Sequence, residues 1–573
     1  MPKRPEGVPW PLAALIVVGN ILRSWISMLF TWYKKPRQED KLRTALQNAN
    51  TFPEWRRAAF ALDHRKEAYN WRVNSVDKSY DYLRLEERRQ MLYRLRMKGD
   101  AVAVAELLRT GFLRNLFGIT KLSLFRKTYI TTKDCIQAYI EETIACIRFV
   151  VESPPTITSR AGRLSAQDKL ELLENGQRMV GSTALVMEGG SVFGLCHLGV
   201  MKALFEHNLL PRVIVGTATG AVMAALMSVQ TTEDLPAFLS GRTIDLSAFS
   251  ESSLRAREKR MAEHQSFLHN WTATLWRRTS RILNTGFVLD PEVLAECIYA
   301  NIGDTTFQEA FDKTGRVLNI IVTSPSDDIP NLLNYLTAST WLIRSAAMAS
   351  HLTNLDPNSE IQLLKKDAHG NLVPIPVRPA SSHIGRARPR SDHPPLSRLR
   401  QQFNIDHFLV SQARPYLAPF TLPSLPSIRP ADAPKSYLPK FLLPSVPFVA
   451  NTLLSALSSL NILPNSISRV RSDQSFPADT LTFVPEFGAL DVKDLVMKNP
   501  TREDLVAWIG RGEKAVWPSL CAVQIRCAVE KALEGGLEAA RRRGGRPGGG
   551  SGESGMRARG GGSRGGAFDW GQE

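Results

Sequence analysis

Residues 183–220 read TALVMEGGSVFGLCHLGVMKALFEHNLLPRVIVGTATG. An apolar strand runs into a glycine-rich turn and a helix, then into a second apolar strand and a second tight glycine turn. Gly189-Gly190-Ser191-Val192-Phe193-Gly194 follows the first strand and opens the helix. Glycines there let the backbone turn sharply and approach a ligand, and free N–H groups at a helix start attract an oxyanion or a phosphate. The spacing is not GxGxxG, and no GxxxxGK[ST] phosphate loop occurs. Val213-Ile214-Val215 then enters Gly216-Thr217-Ala218-Thr219-Gly220 and the small-residue helix AVMAALMSV. Strand, Gly-x-X-x-Gly, helix is the geometry of a nucleophile elbow, whose central residue is ordinarily the attacking serine. Here that residue is Ala218, which has no hydroxyl.

Outward from this stretch, residues 181–415 alternate apolar strands with helices, the pattern of a parallel sheet covered on both faces. Candidate strands are Ala184–Met187, Val213–Val215, Val317–Thr323 and His407–Ser411. Arg255–Arg281 reads as a basic helical insert. Residues 38–180 read as helical throughout, with a break at Gly99-Asp100, a helix starting near Thr131 with Thr132 as its cap, and a stop at Pro154-Pro155. That block carries no constellation of chemical groups and reads as a scaffold. Residues 416–480 are rich in Pro, Leu and Ser, too broken for a membrane span and too apolar for a solvated linker. A strand at Leu481–Val484 and helix to Ala540 fill residues 481–540. The Arg/Gly-rich tail, 541–573, cannot bury a core and reads as disordered.

The chain has 573 residues and a formal net charge of +17, which favours an anionic partner. No aromatic stands between the arginines of its Arg-Gly tail, where stacking would argue for nucleic acid. Six scattered cysteines with no CxxC pair fit a reduced, cytosol-facing protein without a zinc site. Residues 1–37 contain PWPLAALIVVGNILRSWISMLFTW between basic flanks, long enough for one membrane span and carrying Trp10, Trp25 and Trp32 at interfacial positions. Arg23 near its middle costs about 2.5–3.5 kcal/mol at mid-bilayer, so an in-plane interfacial helix stays open beside a span. Both place the protein on a membrane.

With both glycine turns in hand, the chain resembles the patatin-like phospholipases, and more narrowly the fungal triacylglycerol lipases of lipid droplets. The supporting residues are EGGSVFGLCHLGVMKALFEHNLLPRVIVG, LLNYLTASTWLIRSAAMAS, KKDAHGNLVP and PPLSRLRQQFNIDHFLVSQARPY. The resemblance covers roughly residues 40–535. It implies a three-layer α/β/α patatin-like domain after a helical N-terminal domain, a Ser–Asp dyad, no metal and no cofactor. It also implies triacylglycerol or phospholipid substrates and a cytosol-facing place on the endoplasmic reticulum or lipid droplets.

Carried over residue by residue, the oxyanion-hole glycines match at Gly189, Gly190 and Gly194, and the elbow glycines at Gly216 and Gly220. The nucleophile does not match, being Ala218. The family's aspartate base belongs to an Asp-Gly pair, where an ungapped match puts Ala387-Arg388; Asp392 is near but has the wrong neighbours. Thr217 and Thr219 flank the apex, Ser191 lies in the oxyanion loop, and His197 reads as a packing residue. His351 and Asp356 fit the His-x4-Asp spacing of glycerolipid acyltransferases. Three readings follow: a lipid acyl hydrolase, a lipid-binding pseudoenzyme that regulates active lipase relatives, and a His351–Asp356 acyltransferase. The missing serine and Asp-Gly favour the second.

Overall fold

A computed structural model describes residues 38–154, 157–159, 162–248, 291–322, 330–351, 362–375, 395–413, 480–486 and 501–544. The expected membrane segment at 1–37, the basic insert, residues 416–479 and the tail beyond Gly544 lie outside them. Among the described residues no helix is long and apolar enough to cross a membrane. The chain divides into two compact units, Met1–Tyr69 and Asn70–Glu573. In the first, helices Gln38–Asn48 and Phe52–Arg65 are tied by Arg65, whose Nη1 donates to Gln38 Oε1 at 2.6 Å.

The second unit is built on a six-stranded sheet. Its strands are β1 Ser182–Met187, β2 Val213–Gly216, β3 Val317–Ile321, β4 Leu332–Leu333, β5 Ile405–Ser411 and β6 Thr480–Phe483. Their spatial order is β6-β5-β1-β2-β3-β4. The expected parallel sheet holds for five strands, and β4 corrects it at one edge, pairing antiparallel with β3. The strand near residue 481 joins this same sheet. The principal helices are α1 Asp134–Glu152, α2 Ala166–Val180, α3 Cys196–Glu206, α4 Thr219–Ser228, α5 Ile343–His351, α6 Pro395–Phe403, α7 Arg502–Val516 and α8 Leu520–Gly544.

Two local expectations for residues 38–180 need correction. A small antiparallel hairpin, Ile157–Ser159 with Gly162–Leu164, interrupts the helices. Thr132 does not cap α1: its hydroxyl donates to the Leu124 carbonyl at 3.0 Å, and Lys133 precedes the helix without a side-chain cap. The break at Gly99-Asp100 is as expected, since Gly99 has φ +75° and Asp100 caps the next helix by accepting from the Ala103 amide.

Strand alternation sorts the sheet's two faces. Register sets Val186 beside Val215 and Val410, and with Phe408, Ala184 and Leu399 of α6 they form one apolar core. On the other face Met187, Ile214 and Ser411 meet α3 and α4. Helix α3 is held in turn by α7 through backbone contact. A Cβ on Gly199 would stand 1.8 Å from the Ile509 carbonyl oxygen, and one on Gly512 would stand 2.0 Å from that of Cys196. Lys202 closes the crossing with a 2.6 Å ion pair to Glu513.

The amino end of β1 is pinned by a buried polar knot. Glu530 of α8 accepts from the Thr183 amide at 2.8 Å and pairs with Arg114 at 3.1 Å. Arg114 also donates to the Arg526 carbonyl, and Arg526 donates to the Thr120 carbonyl and to Nε2 of His407. That last bond requires a neutral imidazole. Burial, Arg114 and Arg526 together hold the His407 pKa well below its ordinary value. The side chains of Arg114 and Glu530 are only 5% and 7% exposed, so removing one strands the other's charge. Glu530→Ala should therefore cost roughly 3–5 kcal/mol, read as a lowered midpoint in urea denaturation of the full chain.

Candidate functional site

The carboxyl ends of β1 and β2 carry the two glycine turns, and the turns are fitted into each other. The Glu188 amide still donates to the Ser411 carbonyl at 3.1 Å and the Thr217 amide to that of Met187 at 3.0 Å, so the strands hold to these residues. Beyond them a Cβ at Gly220 would lie 2.1 Å from the Met187 oxygen, and one at Gly216 2.4 Å from Ala221 Cα. At Gly190 it would lie 2.2 Å from the Ala413 oxygen, at Gly194 2.6 Å from Thr219 Cγ2, and at Gly189 2.8 Å from Ala218 Cβ. None of these five has positive φ. Gly190, Gly216 and Gly220 are required by close approach of backbone to backbone, and Gly189 and Gly194 by the side chains of Ala218 and Thr219, not by left-handed turns. The later part of the loop forms a 3-10 turn, Ser191–Leu195, before α3 begins at Cys196, where the sequence pattern suggested that the loop opens the helix directly.

The one unusual backbone conformation of the site falls on a residue that has a Cβ. Ala218 has φ +50° and ψ −121°, directly ahead of α4. Such a conformation costs on the order of 1–3 kcal/mol for a non-glycine residue and persists only where its surroundings enforce it. The enforcing bonds are visible. The Ala218 carbonyl accepts from the Ala221 amide at 2.9 Å, and its amide donates to Ser350 Oγ at 3.0 Å. Ser350 Oγ in turn donates to the Ile321 carbonyl at 2.5 Å, linking the elbow to α5 and the end of β3. Sequence reasoning did not single out Ser350. Its spacing from Ala218 is 132 residues, and no local pattern signals the contact.

Of the two flanking threonines, Thr217 accepts the Gly189 amide proton at 3.2 Å. That amide is thus directed at the elbow. Thr219 lies under Gly194, and its buried hydroxyl makes no hydrogen bond. His197 is fully buried in α3. Its Nε2 donates to the Glu188 carbonyl and its Nδ1 accepts from Ser411 Oγ, both at 2.7 Å. This ring braces the entrance of the glycine loop against β5. Burial lowers its pKa to about 4, opposed by the bond to Glu188.

Of the remaining candidates, only His351 lies among the described residues. Helix α5 ends at His351, one residue past Ser350, while Asp356, Ala387-Arg388 and Asp392 lie outside the described residues. None of the six cysteines forms a disulfide. Burial pushes Cys146 and Cys521 up to about 12 and Cys135, Cys297 and Cys527 to about 11, so these five are not thiolates at neutral pH. Among the described residues no group of three or more His, Cys, Asp or Glu could hold a metal ion.

Comparison with known proteins gives two adjoining domain matches. Residues 30–178 match a domain of unknown function, DUF3336, and residues 185–351 match the patatin-like phospholipase domain. The chain is 31% identical to triacylglycerol lipase 4 of Saccharomyces cerevisiae over 88% of its length and 53% of that protein's. It thus spans about half of that relative. It is 30% identical to triacylglycerol lipase ptl2 of Schizosaccharomyces pombe, over 92% of this chain and 79% of the relative. Triacylglycerol lipase ptl1 of the same yeast is 28% identical over 85% and 83%.

The brace at His197 has a measurable acid signature. An unfolded histidine titrates near 6.5, whereas this one stays neutral in the fold until about pH 4. Between those values the unfolded chain binds the extra proton, so stability falls as the pH drops through the window. For one histidine the slope is at most about 1.4 kcal/mol per pH unit. His197→Gln should make the acid limb of a stability–pH profile shallower, with the His407 contribution remaining.

Proposed function

The chain belongs to the patatin-like phospholipase family, and we propose that within it this protein binds acyl lipid in the family's cradle without hydrolysing it through a serine dyad. The observation that carries this reading is Ala218, a methyl at the positively twisted apex of the elbow. A nucleophile there would need an oxygen to attack an ester carbonyl and a base to take its proton. Loss of such a nucleophile lowers turnover by roughly six orders of magnitude in well-studied hydrolases, leaving binding and the oxyanion hole. The glycine loop and elbow are packed as a binding cradle would need them, and the relatives' names point to triacylglycerol as one acyl lipid to test.

A second reading, ester hydrolysis by another hydroxyl, is favoured by Ser350 Oγ, 3.0 Å from the Ala218 amide. Its hydroxyl proton goes to the Ile321 carbonyl, which cannot serve as a general base. The first reading is therefore stronger. Residues 1–37 and the formal net charge of +17 support attachment to an anionic lipid surface, on the endoplasmic reticulum or lipid droplets.

Purified full-length protein should bind acyl-lipid vesicles, resist labelling by a serine-directed fluorophosphonate, and give background turnover of a fluorescent lipid ester. The triple variant Ala218→Ser, Ala387→Asp, Arg388→Gly should gain labelling, with turnover about a thousandfold or more above the parent. Robust labelling and turnover of the parent would sink the reading. Separately, removal of residues 1–37 should move the protein from the membrane pellet to the soluble fraction.

A further inference from the structure

Helix Tyr82–Met97 lies within the residues matched to the domain of unknown function, and its two sides differ in kind. The inner side is committed to the fold. Leu85 and Leu92 are fully buried. Arg96 grips Glu142 of α1 through two hydrogen bonds of 2.7 and 3.0 Å, and Arg88 donates to the Leu107 carbonyl at 2.6 Å. Arg89 is taken up by Glu86 of the same helix at 2.9 Å. Three of the helix's five arginines are thus engaged by the protein itself.

The outer side is at once apolar and basic. Leu83, Met91, Tyr93 and Met97 are between 46% and 63% exposed, and Arg84, Arg94 and the following Lys98 are exposed among them. At 3.6 residues per turn, Leu83, Met91, Arg94, Met97 and Lys98 share about one third of the circumference, with Tyr93 and Arg84 at its two margins. The cations are loosely held. Arg84 stands 3.5 Å from Asp81 with its side chain 73% exposed, and Arg94 reaches the neutral Gln90 side chain at 3.4 Å. Glu87 is the one acidic residue exposed along the helix. Single exposed apolar residues are ordinary, whereas four along one side of a helix form a patch of the kind that marks an interaction surface.

We infer that this side of helix Tyr82–Met97 docks on an anionic phospholipid surface. A helix lying in the plane of such a surface sinks its apolar side chains to the headgroup boundary. Arg and Lys lay their apolar stems over the same patch and carry their charges to the phosphates. Each of these cations is attracted by anionic lipid, and the formal net charge of +17 steers the protein in the same sense. The contact gives a helix of the N-terminal block a task separate from the acyl cradle, and it does not rest on the acyl-binding reading. It is a second lipid contact, chemically distinct from the one proposed for residues 1–37, because it requires negative charge on the lipid.

The test is oxidation of methionine to its sulfoxide by hydrogen peroxide, read residue by residue by mass spectrometry on the full-length protein. Vesicles of phosphatidylcholine alone are compared with vesicles in which about a third of the lipid is phosphatidylserine. On the anionic vesicles Met91 and Met97 should oxidise about fivefold more slowly or less, while Met179 of α2, 47% exposed, should change by less than about twofold. The triple variant Arg84→Gln, Arg94→Gln, Lys98→Gln should lose that protection with its thermal midpoint unchanged, since all three are surface side chains. The parent's comparison carries the test by itself if the variant does not fold. Equal oxidation on the two kinds of vesicle overturns the inference, as does protection that survives the triple variant or extends equally to Met179. Protection that rises with protein concentration when no vesicles are present assigns the face to a second copy and overturns it too. Protein that pellets with vesicles while Met91 and Met97 stay unprotected overturns this contact and leaves attachment through residues 1–37 standing.

Discussion

The site depends on backbone lying against backbone where β1 and β2 end. At Gly216 and Gly220 the elbow is pressed on itself and on the Met187 carbonyl, and at Gly190 the loop is pressed on Ala413. An added methyl at any of these positions would meet main chain, which cannot swing aside as a long side chain can. Everything else in the cradle is arranged to keep that contact. His197 braces the loop against β5, Thr217 receives the Gly189 amide proton, and Ser350 ties Ala218 to the end of β3. The twisted conformation at Ala218 is the one strained point among them, and it is enforced by its bonds to Ala221 and Ser350.

Such strain is ordinarily associated with presenting a nucleophile, because a sharp strand-to-helix turn projects the apical side chain. In this chain the turn is retained while the projecting group is a methyl. The glycines and the hydrogen bonds around the apex do not depend on a serine oxygen. The turn serves the packing of α4 on the sheet whether or not a reaction occurs there. The shape of the turn therefore does not require a hydroxyl at its apex.

Much of this was legible in the sequence because it is local. Apolar runs placed five of the six strands within two residues, and two Gly-rich turns marked the candidate site. Tight turning and approach to a ligand are the reasons local sequence offers for these glycines, whereas the structure sets each of them against the chain's own neighbouring residues, with no positive φ at any of the five. Thr132 looked like a helix cap, but a tertiary bond to Leu124 took its hydroxyl. Ser350 and the Arg114–Glu530 knot were not legible. Each joins residues brought together only by sheet register or helix crossing, and no periodicity in one segment reports its partner in another.

The crossing of α3 and α7 at Gly199 and Gly512 ties the glycine loop to a segment some three hundred residues later in the chain. During translation the loop's own helix emerges long before the segment that clamps it. A ribosome still short of residue 501 therefore carries a nascent chain whose cradle has its strands begun but its lid of backbone contacts unmade. Exposed apolar surface at that stage is what chaperones recognise and what nascent chains lose to aggregation. Closure of the loop's helix therefore waits until α7 has been made, some three hundred residues after α3.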